Sequence, residues 1–450
     1  ANNSIYIMRR LLFIFSFLSL LVVDGKAQEV EILTLEDCLR IGIDNNLSLE
    51  GKRKEIQRSK YGVSENRSKL LPQINAIAGY SNNFDPPVSV TDGSSYGVPY
   101  NITQTLQHSA NAGLEMQMPL FNQTLYTSMS IAKVMEEISR LSYGKAREDV
   151  ILQISKMYYL GQVTAEQIML IKANITRLEE LRDITQAFFD NGMSMEVDLK
   201  RVNINLENLK VQYDNAQAMM KQQLNMLKYI MDYPAEKEIA LTPVNTDSIT
   251  TVALTGLSEN IYELQLSQSQ VQLAERQKKI ITNGYIPSLS LTGSWRYAAY
   301  TDKGYHWFHS GPSNQWFRSY GVGLTLRIPI FDGLDKTYKI KKAMIDIENK
   351  RLAWEDARKN LQTQYLNAVN DLMNNQRNFK KQKDNYLLAE DVYAVTSDRY
   401  REGIASMTEV LQDEMQMSEA QNNYISAHYN YRVTNLMLLK LTGQIESLVK

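Results

Sequence analysis

What most constrains this chain is a pattern that occurs twice. Leu71-Pro72-Gln73-Ile74 is matched by Ile286-Pro287-Ser288-Leu289, and Met118-Pro119-Leu120-Phe121 by Ile328-Pro329-Ile330-Phe331. A third pair, Asn191-Gly192-Met193 and Glu402-Gly403-Ile404, falls at about the same offset, roughly 210 residues, far longer than any solenoid unit. The sequence therefore reads as two halves built on one plan, which is why 450 residues need not mean three separate globular domains.

The prolines of each half bracket two segments whose apolar residues alternate at period two, as in a strand with one dry and one wet face. In the clearest, Ala110, Ala112, Leu114, Met116 and Met118 oppose Asn111, Gly113, Glu115 and Gln117. Its counterpart sets Tyr320, Val322, Leu324, Leu326 and Ile328 against Ser319, Gly321, Gly323, Thr325 and Arg327. Leu289, Leu291, Trp295 and Tyr297 oppose Ser288, Ser290, Thr292, Ser294 and Arg296, and Ile74, Ala76, Ala78 and Tyr80 mark a weaker fourth. Each is about as long as a tilted membrane strand, roughly 9–11 residues.

Elsewhere the pattern is helical. Asn122 to Asp190 contains no proline and little glycine, enough for ~100 Å of helix at 1.5 Å per residue, and Asp335 to Arg401 matches it. Apolar residues recur at spacings of three and four: Ile168, Ile171, Ile175, Leu178; Leu199, Val202, Leu206, Leu209, Tyr213, Ala216, Met220; and Met417, Ala420, Tyr424, Ala427, Tyr431. That is a coiled-coil seam, and it speaks of lateral helix packing, not of ligands. Gly192 and Gly403 suit the left-handed position that closes a helix. Ser406 with Glu409 makes a capping box for the returning helix, whereas Ser194 lacks the acid three residues on and predicts a weaker cap.

The charges nearly cancel, 50 acidic against 49 basic, without a long single-sign block, so nucleic-acid binding has no electrostatic footprint. Arg9 and Arg10, the apolar run Leu11 to Val23 and the small residues around Ala27 read as a secretory signal peptide over 1–27, with translation starting at Met8. The one cysteine, Cys38, lies inside a helical pattern, away from where a lipoprotein would carry it, and has no partner for an intrachain disulfide. Beyond residue 23 no stretch approaches the ~20 apolar residues of a membrane-spanning helix, so a membrane crossing has to use strands.

Strands of this kind can sit in lipid only in a closed barrel, and four cannot close, since the smallest membrane barrels use about eight. Several chains must then share one barrel with a wet lumen, and the long helices, too polar for lipid, continue beside the membrane. The expected organisation is a signal at 1–27, a first repeat at 28–230 (strands near 73–83 and 109–118), an equatorial crossover segment at 231–255, and a second repeat at 256–450 (strands near 288–300 and 318–328).

The export signal, the Leu33-Thr34-Leu35-Glu36-Asp37-Cys38-Leu39 start, the Leu-Pro strand entries, the Pro-Leu-Phe and Pro-Ile-Phe exits and the two glycine turns resemble the TolC family of outer-membrane efflux proteins over the whole mature chain. The Gln- and Tyr-rich texture and the signal ending in Gly-Lys-Ala-Gln resemble proteins of Bacteroidetes. The resemblance implies a mainly α fold with a small β part: a homotrimer with a twelve-stranded transmembrane β-barrel in outer-membrane lipid, on a periplasmic α-barrel of coiled-coil-like helices. It further implies helix-turn tips, Gly192-Met193-Ser194 and Gly403-Ile404-Ala405, that meet a periplasmic adaptor protein and an inner-membrane pump of the RND or ABC type. Family members close the tip with acidic rings and an interhelical polar network, and Asp198, Glu409 and Tyr400 match those positions. Ala405, Gln412 and Val197 depart from the pattern. An acid in the first turn of a helix is also favoured by the helix dipole alone, so both readings of Asp198 and Glu409 stand.

Tyr297, Tyr300, Tyr305, Trp307, Phe308, Trp316 and Phe317 cluster at the second hairpin and read as an interfacial belt with loop packing. His108, His306, His309 and His428 are too few and too scattered for a metal site. No phosphate-cradling loop, nucleophile elbow or ligand-spaced Cys/His group is present, so the sequence predicts no catalytic or cofactor-binding residue. The rival is a periplasmic coiled-coil scaffold or adaptor without a pore, in which four amphipathic strands would have no role.

Overall fold

The computed structural model describes residues 30–86, 88–92, 94, 97, 99–104, 106–244, 256–301 and 316–449. The signal segment, most of the second hairpin loop with His306 and His309, and residues 245–255 of the crossover lie outside them. Two compact units are built from interleaved stretches of chain, one from residues 1–50, 145–261 and 360–450, the other from 51–144 and 262–359.

The first unit opens with β1 (Glu31–Leu33) and α1 (Leu35–Asn45). Thr34 caps α1 through a box in which its hydroxyl accepts from the Asp37 amide while the Asp37 carboxylate accepts from the Thr34 amide, both at 3.2 Å. β1 pairs in parallel with β6 (Ile239–Leu241), which lies in the segment between the two halves, to make a short ribbon. The Tyr158 hydroxyl donates to the Leu33 carbonyl at 3.3 Å, tying this ribbon to the long helix that carries Tyr158. Leu39, Ile151, Ile154, Leu227, Met231, Leu436 and Leu438 of this unit are fully buried.

α2 (Leu47–Ser68), α3 (Gln123–Asp190), α4 (Glu196–Met231), α5 (Tyr262–Asn283), α6 (Asp335–Arg401) and α7 (Met407–Leu441) complete the α-helices among the described residues, and a 3₁₀ turn follows at Ile445–Val449. α3 has 68 residues and α6 has 67, each unbroken as the missing prolines require. Among the described residues no helix is long and apolar enough to cross a membrane.

The second unit holds a four-stranded antiparallel sheet in the order β2 (Gln73–Asn82), β5 (His108–Phe121), β7 (Ser288–Thr301), β8 (Trp316–Arg327). Its register carries one face across all four strands: Ile74 opposes Met116, Met116 opposes Gly293, and Gly293 opposes Val322. One pairing along, Asn75, Glu115, Ser294 and Gly321 line the other face, so the alternation read from the sequence becomes an apolar face and a polar face of one sheet. β8 lies bare, with Tyr320, Val322, Leu324 and Leu326 all exposed. The segment between β2 and β5 forms a further two-stranded ribbon, β3 (Val88–Asp92) with β4 (Tyr100–Gln104), which the sequence reading did not anticipate.

Candidate functional site: the helix-turn tips and the sheet

Both tips close as Schellman turns. At the end of α3, Met193 N donates to Phe188 O at 2.7 Å and Gly192 N to Phe189 O at 2.9 Å; at the end of α6, Ile404 N donates to Arg399 O at 2.8 Å and Gly403 N to Tyr400 O at 2.9 Å. Each turn needs a residue at positive φ, and Gly192 (74°) and Gly403 (75°) supply it without a Cβ penalty. The residues that follow are strongly exposed and apolar: Met193, Met195 and Val197 after the first turn, Ile404 after the second.

The returning helices start differently. Ser406 caps α7 with the predicted box: its hydroxyl accepts from Glu409 N at 3.3 Å and the Glu409 carboxylate accepts from Ser406 N at 3.0 Å. At α4 the expected cap is displaced by one residue. Met195 occupies the cap position with no side-chain hydrogen bond, and Ser194 instead donates to the Thr185 carbonyl at 3.3 Å. The reason is local: the Schellman turn consumes Gly192 and Met193, leaving Ser194 pointed back at the helix it has just left.

Behind the tips the ends of α3 and α6 pack with the starts of α4 and α7 around Leu178, Leu181, Val202, Leu206, Tyr400, Met407, Val410 and Met417. Tyr400 is buried, tilts against Phe188 with ring centroids 5.7 Å apart, and donates its hydroxyl to Thr185 Oγ1 at 3.2 Å. The Thr185 hydroxyl in turn donates to the Leu181 carbonyl at 2.7 Å. Burial holds the Tyr400 hydroxyl above its ordinary pKa, the Thr185 contact opposing and the negative Asp198 adding to the rise. Asp198 is mostly covered and ion-pairs with Arg201 at 3.1 Å, and the same guanidinium nitrogen reaches Thr408 Oγ1 on α7 at 3.4 Å. Of the three residues matched to a closing network, Tyr400 and Asp198 thus join helix-to-helix contacts, whereas the exposed Glu409 is turned to its own helix start. Ala405, where the pattern departs, is buried in the tip core; Gln412 and Val197 are exposed.

Sequence reasoning missed Thr185 and a polar ladder further along α7. Glu414, Gln421 and His428 occupy every seventh position of the seam and all are buried. His428 Nδ1 lies 3.3 Å from Glu166, which also accepts from Tyr424 at 2.8 Å, while Arg432 Nε donates to His428 Nε2 at 3.0 Å. Gln421 and Asn174 pair at 2.7 Å. Glu414 leaves one carboxylate oxygen without a hydrogen bond, and burial pushes its pKa up to about 6. The signal was available, since polar residues recurring at a heptad position of an apolar seam are the usual registry device of coiled coils.

The combination of a sheet dry on one face and wet on the other with long seamed helices has a counterpart among known sequences. The family described as outer membrane efflux protein matches residues 41–231 and 253–444. The chain belongs to that family. Outer membrane efflux proteins act at the cell outer membrane, and this chain is an efflux channel of that membrane. It is 21% identical over 399 residues to the outer membrane protein TolC of Vibrio cholerae, spanning 85% of this chain and 84% of the relative. It is 23% identical over 431 residues to the probable efflux pump outer membrane protein TtgC of Pseudomonas putida, spanning 91% and 82%. The fold agrees with that of CusC (TM-score 0.76, 16% identity, 91% of both chains) and of the open state of the Neisseria gonorrhoeae MtrE channel (TM-score 0.72, 19% identity, 91% and 88%). As an outer membrane efflux protein, the chain has its helices on the periplasmic side and its sheet in the barrel.

Proposed function

We propose that three copies of this chain form the exit duct of a tripartite efflux or secretion system, a passive conduit that performs no catalysis. The observation that carries this reading is the four-stranded sheet whose end strands β2 and β8, among the described residues, each pair on one side only, since an open edge would leave backbone groups unpaired in hydrocarbon. Three sheets of four strands close into twelve. A second feature supports the oligomer: Tyr338, Ile345, Leu352, Leu366 and Met373 lie on heptad positions of α6 and are exposed in the single chain. Such a stripe is a coiled-coil seam awaiting another helix.

Two repeats, 28–230 and 256–450 joined through 231–255, would each supply two barrel strands and one helical hairpin. The exposed Met193, Met195 and Ile404 at the tips suit contact with a periplasmic adaptor, which couples the duct to an inner-membrane pump. Asp198 and Tyr400, together with Thr185, would hold the tips closed. The deciding experiment is the mass of the detergent-solubilised protein purified from outer membranes, with single-channel conductance of the same sample. A conducting trimer supports the duct. A soluble, non-conducting monomer would refute it and favour a scaffold.

A further inference from the structure

Within the wet face of the sheet, two charges stand against each other. Arg296 on β7 lies directly opposite Gly113 on β5, and its guanidinium reaches diagonally over that glycine to ion-pair with Glu115. The strands are so close here that a Cβ on Gly113 would sit 2.4 Å from the Trp295 carbonyl oxygen and 2.9 Å from the Arg296 Cα. Gly113 therefore provides the floor across which the arginine stem can lie. On the other flank Ser294 opposes Gly321 and Thr292 opposes Gly323, leaving a hollow of about 480 Å³ beside the pair. The pair thus projects from a surface of glycine and small hydroxyl residues. Among the described residues of this face, the strands carry one further charge, Arg327, which is paired with Ser288 at the far end of β7. Ser288 lies eight residues from Arg296, roughly 27 Å at 3.4 Å per residue.

We propose that Glu115 and Arg296 form a charge-compensated ring inside the barrel and set its indifference to the charge of the passing solute. The inference rests on the duct reading, because only there does the wet face line a lumen. Both side chains are about half exposed (40% and 48%), so each charge is accessible to water and its field is cancelled chiefly by its partner. Loss of one partner leaves a bare charge, repeated in each copy, within a Debye length (~10 Å at 0.1 M salt) of ions crossing nearby.

The test is the reversal potential of the purified full chain in a planar bilayer under a KCl gradient at about 0.1 M. Arg296→Gln should shift the potassium-to-chloride permeability ratio toward potassium by at least about twofold, and Glu115→Gln should shift it toward chloride by a similar factor. The double variant, which keeps strand pairing and also controls for folding, should return to the wild-type ratio, and both single shifts should shrink at 1 M salt. Single variants that conduct with the wild-type ratio, or a double variant that keeps the shift of one single, would overturn the role of the pair while leaving the duct intact. A wild-type sample that purifies as a soluble, non-conducting monomer would remove the duct reading itself and this inference with it.

Discussion

Glu414→Gln should make the tip bundle more stable at neutral pH and leave it unchanged in acid. Glu414 occupies a seam position between Val410 and Met417, is 4% exposed, and has one carboxylate oxygen without a hydrogen bond. Burial raises its pKa from 4.5 to about 6. Each pKa unit corresponds to about 1.4 kcal/mol, so ionising this carboxyl costs the packed bundle about 2 kcal/mol. Well below pH 4.5 the acid is protonated whether the bundle is packed or open, and the term vanishes. From there to about pH 6 the packed state binds the extra proton, so stability falls as pH rises, and above about 6 the full penalty stands. Glutamine keeps the shape and never ionises. Hydrogen exchange of amides in the tip, corrected for intrinsic rates, reads the local opening free energy directly. Between pH 4.5, where the open-state acid is already half ionised, and pH 7.5, wild-type protection should fall by about 15-fold, the equivalent of ~1.6 kcal/mol, while Glu414→Gln should stay flat. Equal protection of the two proteins at pH 7.5, or weaker protection in the glutamine variant, would refute the argument.

Four further outcomes separate the roles of the tip residues. Asp198→Asn frees Arg201 from its ion pair beside Thr408 and should raise the single-channel conductance of the closed duct, whereas Glu409→Gln, which preserves the capping box, should leave it unchanged. Unaltered currents in Asp198→Asn would remove that residue from the gate. Tyr400→Phe deletes the hydroxyl bonded to Thr185 and should cost about 1 kcal/mol of bundle stability, read by denaturant midpoint, with partial recovery on adding Thr185→Val. Gly403→Glu forces a side chain into φ 75°, at roughly 1–2 kcal/mol, and puts a bulky charge at the tip. Trimers should still form in detergent while efflux of a fluorescent dye is lost, and normal efflux would speak against docking through this turn. Ser406→Ala should cost about 1 kcal/mol, while Ser194→Ala should cost less, because Ser194 does not cap α4.

Much of this fold was legible because long-range order here repeats a local signal. Proline-free stretches with three- and four-residue apolar spacing gave α3 and α6 to within a residue at each end, since a Schellman glycine terminates each helix unambiguously. The four barrel strands were readable from alternation because half of every strand is meant for lipid and half for water. What escaped is what alternation cannot encode. β1 and β6 are three residues each, and their pairing joins segments some two hundred positions apart, so neither leaves a periodic trace. The start of α4 moved from Ser194 to Met195 because the turn geometry, not the side chain, decides where the helix begins.

The polar seam of α7 was missed for a more instructive reason. Searching for apolar residues at helical spacing finds Met417, Tyr424 and Tyr431 and passes over Glu414, Gln421 and His428, which hold the alternate positions. Two of those polar residues are answered across the seam, His428 by Glu166 and Gln421 by Asn174. The partners sit eight residues apart on α3 while the seam residues sit seven apart on the antiparallel α7, so the next rung falls near Leu181 or Arg182. Leu181 is buried in the tip core, and Arg182 turns outward to Asp183. Glu414 thus inherits the heptad position without inheriting a partner. A fully matched ladder would fix register and resist opening along its length, whereas this one grips in the middle of the hairpin and weakens toward the tip. Under the closing role proposed for the tips, that gradient puts the unmatched rung beside them, so that ionisation of Glu414 weakens the packing nearest the turn.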